Sequence, residues 1–212
     1  MNDEPTPQQG WVADEIAAEF PELRIAWLLS DCRGTRSDPG VAERLASLAS
    51  RFSGRQAVEL RQQQVPAAYR SFFRQLGIDP EQHPTPIERA VVGRLLAGGN
   101  PPRDRVSDAL LLALLETSVE VVAFDAALAT PPVGIRSSLS DDRPGGRELA
   151  PGTLMIVDSR QSLAPLFALG EGPPAATAAG ERVLLVGVAV PGVSALAVDE
   201  ALTIAAAALG GG

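Results

Sequence analysis

The stretch Val106–Asp125, VSDALLLALLETSVEVVAFD, decides how the chain is read. An acid, Asp108, stands near its start, and an almost unbroken apolar run follows from Ala109 to Leu115. Glu116, Thr117 and Ser118 break that run, and a second apolar run ends on another acid, Asp125. This pattern predicts two buried segments joined by a tight turn at the centre of a domain. The acids cut the apolar run well short of the roughly 18 to 20 residues a helix needs to cross a bilayer, so no membrane span is expected.

Upstream, Glu22–Ser30 alternates and then turns fully apolar, as a buried strand does. Ser37 or Asp38 is placed to cap a helix from Val41 to about Phe52. A second helix is expected over Val65–Leu76, with Tyr69, Phe72, Phe73 and Leu76 inward and Gly77 at its end. Pro86 suits the start of a third, Ile87–Leu96. Trp11–Ala18 fits either a short strand or a helix. Downstream, Val133–Arg136, Thr153–Val157, Ala164–Leu169 and Arg182–Val190 predict strands, and Val198–Leu209 predicts a terminal helix. The fold class is α/β, a mixed central sheet flanked by helices. One domain is expected over 11–209, with loose tails at 1–10 and 210–212.

Composition removes several functions. The chain has 212 residues, enough for one domain with a sizeable core. Its net charge is -8, and every basic residue is Arg. A protein gripping a phosphate backbone by charge alone would be basic, so a general nucleic-acid binder is not expected. One Cys (Cys32) and one His (His83) leave no ligand set for structural zinc and no intramolecular disulfide. The polar start MNDEPTPQQG lacks an apolar signal core, which makes a cytoplasmic location the expectation.

Asp108, Asp125 and Asp158 each end an apolar segment, where a carboxylate reads first as a cap or a turn closure. Arg136 follows a predicted strand and reads as half of an ion pair, with Asp125 as one partner, or as a phosphate contact. Gly170–Glu171–Gly172 is a glycine-flanked turn carrying one acid. Cys32 reads as an ordinary buried thiol, and His83 as a loop residue without a nucleophile beside it.

Several of these segments, taken in order, resemble the B3/B4 domain, the editing module of the bacterial phenylalanyl-tRNA synthetase beta chain, which also occurs free-standing. Asp108 and Ala123–Phe124–Asp125 stand at the family's spacing with no gap. Phe20–Pro21, Ala68–Tyr69–Arg70, the Leu76–Pro80 turn, a Pro-started helix and Arg94–Gly98 follow the family's order, so the resemblance covers about residues 20 to 205. Two features depart from it. The family's Thr-Asn pair is Leu110–Leu111 here, and its His before Ala-Phe-Asp is Val122.

The resemblance implies an aminoacyl-tRNA deacylase that acts in trans on the tRNA 3′ end, by water, with no metal or cofactor. It implies catalytic roles for Glu171 and Asp125, and substrate contacts for Asp108, Leu110, Leu111, Val122 and Arg136. Three aliphatic groups in place of polar ones imply an apolar substrate side chain, distinguished by shape at roughly 1 to 3 kcal/mol per methylene. Two other readings stay open. One is a non-catalytic module binding tRNA, an apolar small molecule or a protein. The other is the same fold reused for other chemistry on an aminoacyl or acyl substrate.

Overall fold

A computed structural model describes residues 5–32, 34–51, 59–97, 104–143, 149–168 and 181–210. Among these the chain is α/β, with six α-helices and two four-stranded sheets. The central sheet has the order β1 (Gln8–Gln9), β3 (Arg24–Asp31), β8 (Arg182–Ala189), β4 (Val121–Asp125), and all its pairings are antiparallel. The second has the order β2 (Trp11–Val12), β5 (Gly134–Ser137), β6 (Leu154–Val157), β7 (Ser162–Pro165). There β2 runs parallel to β5 and the rest are antiparallel, so the mixed sheet is the smaller one. Periodicity identifies strands but does not say which ones pair.

β1 lies inside the stretch expected to be a loose tail. The next residues cross from one sheet to the other: Gly10 N donates to Ile25 O at 2.8 Å, and Ala13 N to Ile135 O at 2.9 Å. The strand expected over Ala164–Leu169 is shorter and earlier. After β7 the chain turns into a 3-10 segment, Leu166–Ala168, and residue 169 lies outside the described residues.

The helices are α1 (Asp14–Glu19), α2 (Pro39–Arg51), α3 (Gln64–Gln75), α4 (Pro86–Ala97), α5 (Arg105–Thr117) and α6 (Ala195–Gly210). Their ends follow local chemistry. Asp38 accepts the Gly40 N–H at 2.8 Å at the start of α2. At the start of α4 Glu88 reaches back as in a capping box, its Oε2 accepting the Thr85 N–H at 3.0 Å and the Thr85 hydroxyl at 2.8 Å. α3 gives way to Gly77 at φ +74°.

β8 is buried on both faces, which is why its sequence is almost wholly apolar. α6 lies on one face, and α5 packs beside it. Gly187 allows this approach: a Cβ there would come 2.7 Å from Val198 Cγ1. On α3, Tyr69, Phe72 and Phe73 are buried, as their spacing predicts, while Leu76 is only half-buried. The three rings surround Phe167 at centroid distances of 5.4, 6.1 and 5.4 Å. Buried residues from Ile16 to Leu209 form one continuous core.

Two of the closely approached glycines, Gly187 and Gly134, should respond differently to a methyl group. Gly187→Ala forces α6 off β8 and should cost about 1–3 kcal/mol in urea unfolding. Gly134→Ala meets the ring of Trp11, which is 41 % exposed and has room to swing outward, so its loss should be smaller. The reverse order would contradict the tight α6–β8 seam.

Candidate functional site

α5 and β4 build the centre of the site. Asp104, not Asp108, caps α5: its Oδ1 accepts the Ser107 N–H at 2.9 Å and its Oδ2 the Ser107 hydroxyl at 2.6 Å. Asp108 sits one turn further on and is buried. The helix ends at Ser118, whose φ of 62° turns the chain sharply into β4. The polar break in the sequence is therefore a left-handed helix cap, which Thr117 reinforces by accepting the Val119 N–H at 3.1 Å.

Strand parity divides the candidate pocket residues. Gly187 faces α6 and stands opposite Val121, so Val121, Ala123 and Asp125 face the α5–α6 layer. Val122 and Phe124 face the other way. Leu110 and Leu111 are half-buried on α5, on the side of the sheet that Val122 does not face. The three aliphatic positions therefore do not line one pocket.

The charged candidates are held by local bonds. The Asp125 carboxylate accepts the Ala127 N–H at 2.8 Å, closing the turn after β4. Arg136 pairs with Asp142 rather than Asp125, through two bonds of 2.6 and 2.9 Å. The Arg136 guanidinium outweighs burial and holds the Asp142 carboxyl well below the usual carboxylate range. Asp158 accepts N–H groups from Thr130, Arg160 and Gln161, so it closes turns, as its position at the end of β6 suggested. Glu171 lies outside the described residues. Burial pushes the Cys32 thiol up, against the lowering effect of Arg105, which suits an unreactive side chain.

A polar cluster that the sequence did not single out lies at the root of β4. Continuing the β4–β8 register by one step places Glu120 opposite Val188. No direct ladder bond joins them there. Instead the Tyr69 hydroxyl donates to Val188 O at 3.2 Å and accepts the Glu120 N–H at 3.4 Å, bridging the strands. The Glu120 side chain is 11 % exposed and faces Arg89 on α4 at 3.5 Å. Burial pushes its carboxyl up to about 7, against the opposing pull of the Arg89 guanidinium. A carboxyl raised in this way beside a charge partner marks Glu120 as a candidate functional acid. Its sequence neighbours gave no sign of this, because its burial depends on α3 and α4, dozens of residues away.

No protein-family model matches the chain, and no curated protein matches it. Among the described residues, no group of three or more His, Cys, Asp or Glu is placed to hold a metal ion. None of the described helices is long and apolar enough to cross a membrane.

Proposed function

We propose that the chain is a trans-acting aminoacyl-tRNA deacylase of the B3/B4 type, selective for an apolar aminoacyl group. The observation carrying this reading is the convergence of the resembling segments. Tyr69, from the Ala68–Tyr69–Arg70 segment, bonds the root of the strand bearing Ala123–Phe124–Asp125. Arg70 beside it bonds Glu88 in the Pro-started helix at 2.6 Å. Two segments far from it in sequence are thus each bonded to the α3 segment. In the proposed reaction water adds to the ester carbonyl carbon, the acyl–oxygen bond breaks, the amino acid leaves and the tRNA regains its hydroxyl. Neither a metal nor a protein nucleophile is required.

The test is hydrolysis of a panel of aminoacyl-tRNAs by the purified chain and by Glu171→Gln. The expected result is release of one aliphatic or aromatic amino acid by the wild type and at least about a hundredfold slower release by the variant. Absence of release across the panel would overturn the reading. A second reading, a binding module without hydrolysis, is favoured by one observation: Asp125 and Arg136 are both engaged in closing local structure. Binding of uncharged tRNA without hydrolysis would select it.

A further inference from the structure

We draw no further inference here: the strongest candidate, the outer edge of β4, where the central sheet ends and a further strand would pair, runs along Val121 and Ala123 at only 3 % and 2 % exposure, and nothing in the structure shows what covers it.

Discussion

With Gln in place of Glu120, the chain should be more stable by about 3 kcal/mol above pH 7 and unchanged below pH 4.5. The folded protein holds this carboxyl near 7, against an ordinary value of 4.5. Between those limits the folded state binds more protons than the unfolded state, so wild-type stability falls as pH rises. Each pH unit in the window removes at most about 1.4 kcal/mol, and the loss is complete above the folded value. Gln is neutral throughout and never incurs the cost of burying a charge. Urea unfolding of both proteins from pH 4 to pH 8 checks this, read as the difference between them, because the other titrating groups are shared. Parallel curves would mean that Glu120 is solvated like a surface acid.

What the sequence made legible is local. The break at Glu116–Thr117–Ser118 is a helix end and a turn because those residues cap and bend the chain within one or two positions. Tyr69, Phe72 and Phe73 share one face of α3 and are buried together. The helix start at Pro86 is likewise a short-range pattern. What stayed hidden depends on pairing at a distance. Nothing in VVAFD says that Gly187 will stand opposite Val121, yet that single register separates Val122 from Leu110 and Leu111. Phe167 takes a left-handed φ of 60° with no glycine to announce it, held by rings on α3. Glu120 looks like one more polar residue in a turn until Tyr69 and Arg89 arrive from other helices.

Arg70→Met should destabilise the chain by about 3–5 kcal/mol, because it breaks a buried ion pair from one side. Arg70 and Glu88 keep only 8 % and 5 % of their side chains exposed and bond at 2.6 Å. Burial works against the Arg70 charge, and the carboxylates of Glu81 and Glu88 outweigh it and raise its pKa. Methionine fills the space of the arginine stem but leaves Glu88 buried with less compensation. Arg61 still reaches Glu88 at 2.9 Å, but it is 46 % exposed and well hydrated, so it is a weaker partner. Because Glu88 also caps α4 through Thr85, its charge cannot leave the interior without opening the helix. A double-mutant cycle separates the terms. Glu88→Gln added to Arg70→Met should recover part of the loss, since the stranded group is then neutral and still accepts from Thr85. A loss below about 1 kcal/mol for Arg70→Met would mean that the network behaves like a surface ion pair. A large loss with partial recovery would establish that α3 and α4 are held together through this buried pair. Those are the two helices that carry Tyr69 and Arg89 to Glu120, so the setting of that buried carboxylate would then depend on the same charge network.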